Sequence, residues 1–135
     1  MISLWFFILC LIILMTVILA IRNRHNKMIF ISIIIFGLIL SLPFHFLVQS
    51  GMTRIHKEEI ARVIHFMGGN VIQVKKVDDS RTPFERETGA SNTVYQVLYE
   101  INGLQKSAWY RGVNVINNIH SKPNKGYEEK WVFDQ

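Results

Sequence analysis

The residues best suited to chemistry lie in the stretch TRIHKEEIARVIHFMGGN, residues 53–70. His56, Glu59 and His65 are residue types that bind divalent metals. On one helix, His56 and His65 would be separated by about two and a half turns and would lie on roughly opposite faces. They would therefore not share an ion, and the sequence predicts no metal ligand set and no cofactor.

Motifs of metalloproteases, serine hydrolases, P-loop enzymes and dinucleotide-binding proteins are absent from the sequence. Cys10 is the single cysteine, so an internal disulfide is impossible. No nucleophile can be paired with a base from the sequence, and we predict no catalytic residue and a protein that is not an enzyme. The alternative, a small envelope enzyme, would require His56, His65 or His120 to meet carboxylates in space.

Two local features are candidates for contact with a partner. The segment DDSRTPFERETGASN, residues 78–92, is a long charged loop in which Phe84 can anchor to a partner or fold back onto its own domain. Trp109 and Arg111 share one face of a predicted strand, with Tyr110 on the other, and such pairs are frequent in contact sites. Phe84, Trp109 and Arg111 are our candidate contact residues, and a surface stack over a sheet is the alternative for Trp109 and Arg111.

The net charge of +5 does not indicate a nucleic-acid-binding protein. Three of the fifteen Lys and Arg residues lie between residues 22 and 27, so twelve remain against ten Asp and Glu from residue 49 onward. This small excess forms no basic patch, which is the feature that nucleic-acid binding requires.

The first third of the chain is almost continuously apolar. The segments MISLWFFILCLIILMTVILAI, residues 1–21, and MIFISIIIFGLILSLPFHFLV, residues 28–48, contain no Asp, Glu, Lys or Arg. Each would extend about 31 Å as a helix, the thickness of a hydrocarbon core. A signal peptide is the alternative for the first segment, but the chain starts without a basic residue. We predict two transmembrane helices that contact the lipid bilayer.

Arg22, Arg24 and Lys27 interrupt this apolar run in a short turn, residues 22–27. Cations at this position favour a cytoplasmic turn, since the residues before the first helix offer no Lys or Arg to compete. The predicted hairpin, residues 1–48, therefore has both termini outside the cytoplasm. Residues 49–135 become an extracytoplasmic domain of an integral protein, which we expect in a bacterial cell membrane.

Gly37 and Ser41 form a pair of small residues four positions apart on the second predicted helix. Such pairs let helices approach closely in a membrane. They predict helix packing, either within the hairpin or between copies of the chain.

The pattern after residue 49 predicts a small α+β domain. Ile60, Val63, Ile64 and Met67 form the apolar stripe of an amphipathic helix that starts at Ser50 or Thr53 and ends at Gly68 and Gly69. The segments NVIQVKKV, TVYQVLYEI, LQKSAWYR and EEKWVFD have the composition of strands. We interpret the fold as one amphipathic helix packed on an antiparallel sheet of about four strands.

The dipeptide Asn102-Gly103 fixes the register of the central strands. A two-residue turn there pairs Ile101 with Leu104 and Tyr95 with Tyr110. Residues 112–120 are predicted as either a short helix or an irregular connection. The order of elements is similar in outline to PepSY-type and cystatin-like modules, which implies a helix on a curved sheet.

These features predict a two-pass membrane protein that anchors an exported interaction module, of the envelope accessory or immunity type, with a protein partner or self-association. The alternative is a membrane-tethered module that binds or senses a small molecule. That alternative requires an apolar pocket between helix and sheet, with the hydroxyl of Tyr95, Tyr99 or Tyr110 pointing into it.

Overall fold

The structure is a computed structural model that describes residues 2–78, 82–116 and 118–134. Two long apolar helices are followed by a four-stranded antiparallel sheet. The elements are α1 (Ile2–Arg22), α2 (Lys27–Phe66), β1 (Asn70–Val77), β2 (Asn92–Ile101), β3 (Leu104–Val113) and β4 (Lys130–Phe133). The chain forms two compact units, Met1–Met52 and Thr53–Gln135, and the boundary falls within α2.

The first unit is a hairpin formed by α1 and the amino-terminal part of α2. Asn23 and Asn26 in the turn explain where the helices end and begin: the Asn23 side chain donates to Leu19 O at 2.8 Å, and Asn26 accepts from the backbone of Ile29 and Phe30. Most of the large aliphatic side chains of both helices are exposed. Both helices are long and apolar enough to span a membrane.

Gly37 is buried against α1. A Cβ atom at this position would collide with the side chain of Thr16, so the glycine permits the close approach of the two helices. Gly51 meets Ile2 in the same way, with a Cβ atom 2.6 Å from Ile2 Cγ1. Ser41 is half-buried. Gly37 therefore contributes to packing within the hairpin, and its role between copies stays a prediction.

The predicted start of a separate amphipathic helix at Ser50 or Thr53 is wrong, because α2 continues from Lys27 to Phe66 without a break. Residues 48–54 contain no proline, and a single glycine in a helix costs only about 1 kcal/mol. The predicted end is confirmed: Gly68 has φ +80°, and the backbone N–H groups of Gly68 and Gly69 bond to His65 O and Ile64 O, both at 2.9 Å. This is the Schellman pattern of helix termination.

The sheet has the order β1-β2-β3-β4, with every neighbouring pair antiparallel. The predicted hairpin register is confirmed, and Asn102 and Gly103 have the positive φ angles that this turn requires. The register of β1 shifts between Val71 and Gln73, which leaves Ile72 exposed. In residues 112–120, the described part continues β3 to Val113 and then forms turns rather than a helix.

The core of the second unit is one buried cluster with residues from α2 and from the sheet. Its members are Ile60, Ile64, Tyr95, Val97, Tyr99, Ala108 and Tyr110. Two members of the predicted apolar stripe, Ile60 and Ile64, belong to this cluster, whereas Val63 is half-buried and Met67 is exposed. Met67 falls outside the core because α2 ends at Phe66.

Candidate functional site

The candidate contact residues do not form one exposed patch. Phe84 is only 1% exposed and Arg111 only 4%, while Trp109 is half-buried. Phe84 therefore folds back onto its own domain, which was the alternative for this side chain. Residues 79–81 of the 78–92 loop lie outside the described residues.

Arg111 is held by a set of contacts that we call the Arg111 clasp, formed by Phe84, Glu87, Tyr127 and Glu128. The guanidinium carbon lies 5.0 Å from the ring centre of Phe84 and 5.2 Å from that of Tyr127. Arg111 Nε donates to Glu128 O at 3.0 Å, and Nη1 donates to Glu87 O at 2.6 Å and to Glu87 Oε2 at 3.2 Å. A buried cation is thus balanced by one carboxylate, two carbonyls and two aromatic faces.

The Glu87 carboxylate also accepts a hydrogen bond from Lys130 Nζ at 3.1 Å. Lys130 and then Arg111 hold the pKa of Glu87 below its ordinary value, because both cations favour the ionised carboxylate. The clasp therefore joins the 78–92 loop, β3 and the start of β4.

His56 is fully buried on the opposite face of the sheet. His56 Nε2 lies 3.0 Å from Val113 O, and Nδ1 lies 3.2 Å from the Tyr95 hydroxyl. Since a carbonyl can only accept, Nε2 carries the proton, and in the neutral ring Nδ1 accepts from Tyr95. Burial lowers the pKa of His56, although the bond to Val113 and the charge of Glu129 oppose this change. His56 is a satisfied, neutral core residue.

Gly112 makes room for the His56 ring. A Cβ atom at Gly112 would lie 2.9 Å from His56 Nε2 and 3.0 Å from the adjacent ring carbons. A larger residue at this position would displace the ring and break its bond to Val113.

A polar cluster lies near this face and consists of Glu59, His120 and Glu129, which we call the Glu–His–Glu cluster. One ligand atom from each residue can be chosen so that all three lie within 4.8 Å of one another. His120 Nδ1 is 2.5 Å from Glu129 Oε2, and His120 Nε2 is 4.0 Å from Glu59 Oε2. Glu59 is buried, Glu129 is half-buried and His120 is exposed, so the cluster opens to solvent on the side of His120.

Arg62 balances part of the negative charge of this cluster. Its Nε and Nη2 atoms donate to the two oxygens of Glu59 at 2.8 and 2.6 Å. The positions are one turn apart on α2, where a bidentate pair of this kind forms easily. Glu129 has no equivalent arginine among the described residues.

Tyr110 adds an unsatisfied group near the cluster. Its side chain is fully buried, and its hydroxyl has no hydrogen-bond partner within the described part of the chain. Burial raises the pKa of Tyr110, and the nearby carboxylates of Glu129 and Glu59 raise it further. Burial and these carboxylates both favour the neutral, protonated form of the hydroxyl.

Sequence reasoning identified Glu59 and His120 separately but missed the cluster. Glu59 belongs to α2, His120 to the connection between β3 and β4, and Glu129 precedes β4. The candidate metal set does not converge, since His56 is fully buried and His65 is exposed. No periodic pattern predicts the conformation of an irregular connection, so only the folded chain brings His120 to Glu59.

Two apolar cavities lie in the hairpin, between α1 and α2. Their volumes are about 620 and 370 Å³, and Thr16 and Gly37 line both of them. In the second unit, the Tyr95 hydroxyl lies 3.2 Å from His56 Nδ1.

The turn residues Arg22, Arg24 and Lys27 are exposed at the end of the hairpin where α1 stops and α2 starts. They are placed so that one set of cations marks the same end of both helices.

No protein-family model matches the chain, and neither the comparison with curated proteins nor the comparison with solved structures gives a match.

Proposed function

We propose that the chain is a two-pass membrane protein whose second unit is a non-enzymatic interaction module, of the envelope accessory or immunity type. The observation that carries this proposal is the exposed apolar surface of α1 and of the first part of α2. Exposed aliphatic area on this scale is costly in water and stable in lipid. The second unit, in contrast, has its own buried core.

The turn gives the proposed orientation. Arg22, Arg24 and Lys27 place three cations beside both spans, and cytoplasmic turns are enriched in such residues. The second unit then lies outside the cytoplasm of a bacterial cell. In this unit, the end of α2 packs on the sheet, with Ile60 and Ile64 supplying the apolar contact.

Protein contact is the proposed activity of the second unit. Exposed apolar side chains support it: Phe66 is 89% exposed, Leu104 63% and Ile72 47%. The end of α2 lies next to the end of the sheet that carries the Asn102-Gly103 turn, because a Cβ atom at Gly69 would lie 2.9 Å from Glu100 O. Apolar residues at such positions are typical of interaction surfaces. Trp109, half-buried on β3, remains a candidate contact residue.

Cysteine labelling in intact cells tests the orientation. The background is Cys10→Ser, and single cysteines are placed at His25 in the turn and at Lys122 in the second unit, where the lysine side chain is 83% exposed. A membrane-impermeant maleimide should label Lys122→Cys in intact cells and His25→Cys only after lysis. The reverse labelling pattern would overturn the orientation. Recovery of the protein in the soluble fraction of lysed cells would overturn the membrane anchor.

Photocrosslinking tests the proposed contact. A photoreactive amino acid at Leu104 should yield a discrete adduct in intact cells, whereas the same group at Lys122 serves as the exposed, charged-position control. Equal adducts from both positions, or no adduct from Leu104, would contradict a specific contact surface at the β2–β3 turn.

A further inference from the structure

We propose that Glu59, His120 and Glu129 bind a divalent transition-metal ion. This proposal goes beyond the anchoring and interaction function, and it does not depend on the orientation of the hairpin in the membrane. It rests on the donor set, on the unsatisfied hydroxyl of Tyr110 and on the charge around the cluster.

The donor atoms have the chemistry and the spacing of a metal site. Two carboxylates and an imidazole are common ligands of zinc, at distances of about 2.0–2.2 Å from the ion. Donor atoms that all lie within 4.8 Å of one another need only side-chain adjustments to reach a shared ion. Glu129 Oε2 lies 2.5 Å from His120 Nδ1 and Glu59 Oε2 lies 4.0 Å from His120 Nε2, so the exposed imidazole must reorient for one nitrogen to share an ion with both carboxylates.

Tyr110 supplies the second, independent observation. A buried phenol hydroxyl that makes no well-formed hydrogen bond is costly, even with the Glu129 carboxylate nearby, and such groups are rare in folded proteins. Three protein ligands leave the fourth position of a tetrahedral ion for water. A water on the ion, or a carboxylate turned by the ion, would accept the hydrogen bond that the Tyr110 hydroxyl lacks.

The charge around the cluster also favours a cation. The two carboxylates face one arginine, Arg62, so a neutral His120 leaves one negative charge without a partner in the cluster. Glu59 already bonds to Arg62 through both oxygens, but each carboxylate oxygen has a second lone-pair direction free for a metal.

The mixed donor set selects the class of ion. Imidazole nitrogen favours zinc and neighbouring transition metals, whereas magnesium and calcium prefer oxygen-only sites. A bound ion would join α2 to the connection between β3 and β4, two segments far apart in sequence.

The test is a calorimetric titration of Zn²⁺ into the full chain in lipid nanodiscs, purified without a polyhistidine tag. The parent should bind one zinc ion per chain. His120→Gln should weaken binding by at least tenfold, because it removes the nitrogen ligand at an exposed position. The matched control is His65→Gln, an exposed histidine of the same unit, which should leave binding unchanged.

A second variant tests the contribution of the Tyr110 hydroxyl. Tyr110→Phe keeps the ring and should weaken zinc binding by about tenfold to a hundredfold, the range found when groups that support metal ligands are removed. Absence of saturable zinc binding by the parent, or equal affinity of His120→Gln and His65→Gln, would overturn the proposal.

Discussion

Tyr110 and Arg111 are neighbours on β3, yet their side chains lie on opposite faces of the sheet. Their polar groups differ in how completely they are hydrogen-bonded. The Arg111 guanidinium is balanced by two carbonyls, a carboxylate and two aromatic rings. The Tyr110 hydroxyl is equally buried and has no partner within the described residues.

This difference distinguishes a buried group that only stabilises the fold from a buried group that can still interact with a ligand. A buried cation that is fully paired stabilises the fold and offers little to a ligand. A buried donor beside two carboxylates and a histidine is incompletely paired, and such exceptions in a well-packed core call for a specific explanation. On one face of the sheet, the polar groups of the Arg111 clasp are fully paired. On the other face, among the described residues, the Tyr110 hydroxyl near the Glu–His–Glu cluster has no hydrogen-bond partner.

Removal of the clasp should have the largest effect. Arg111→Ala loses three hydrogen bonds and two contacts with aromatic rings, and removing one partner of a buried charge pair costs about 3–5 kcal/mol in total. We expect the free energy of unfolding of the second unit to fall by roughly 3 kcal/mol. Urea unfolding of the full chain in nanodiscs, followed by tryptophan fluorescence, measures this value. Lys106→Ala, an exposed change on the same strand, is the control and should have little effect; equal values for the two variants would contradict the clasp.

Removal of the hydroxyl should affect the two core tyrosines differently. Tyr95→Phe removes the donor to His56 Nδ1 and should lower the free energy of unfolding by about 1 kcal/mol, while Tyr110→Phe removes an unpaired hydroxyl and should leave it unchanged or raise it. Both are measured in metal-free buffer by the same unfolding method. A loss for Tyr110→Phe as large as that for Tyr95→Phe would show that its hydroxyl is paired.

Acid should weaken the packing of His56 against the sheet. Burial lowers the pKa of His56 in the folded state, so the unfolded state takes up a proton first as the pH falls. The contribution of neutral His56 is fully present above about pH 6.5, the ordinary pKa of histidine, and is lost as the pH falls toward the lowered value. Glu129 and Lys76 are the charges that act on His56 with opposite signs. We expect a lower urea midpoint at pH 5.5 than at pH 7.5.

The matched variants for this pH effect are His56→Gln and His65→Gln. His56→Gln should reduce the dependence of the midpoint on pH, and His65→Gln should retain it. If the parent midpoint is equal at both pH values, His56 is not held neutral by the fold.

Glu87→Gln should have the smallest effect, because this carboxylate is half exposed and screened by solvent. The pKa of Glu87 is lowered in the folded state, so its contribution is present at neutral pH and is lost as the pH falls through the lowered value. The variant should be slightly less stable than the parent at low salt, and the difference should shrink in 1 M NaCl. A loss as large as that of Arg111→Ala would show that charge pairing, and not the carbonyls and rings, holds the clasp together.

Much of the fold could be predicted because its signals are local. The apolar lengths of α1 and α2, the glycines after α2 and the Asn102-Gly103 turn each act within a few residues, and the structure has the corresponding elements. The wrong prediction of a helix start at Ser50 or Thr53 has the same origin. The change from an apolar to an amphipathic pattern indicated a new helix, but no residue there terminates α2.

The candidate site could not be predicted in this way. Phe84 and Arg111 have the composition of a contact surface, and their burial depends on a loop that folds over the sheet. His120 and Glu129 belong to a segment without periodicity, so nothing in their spacing predicts that they meet Glu59 on α2.

The sequence by itself determined the two apolar spans, the strands and the register of their central hairpin, since hydrophobic length, alternation and turn chemistry are properties of neighbouring residues. Only the tertiary structure decided which buried polar groups are fully hydrogen-bonded and which are not. That outcome depends on contacts between segments far apart in the chain, such as Glu59 with His120 and Arg111 with Glu87, and on how completely each buried group finds a partner.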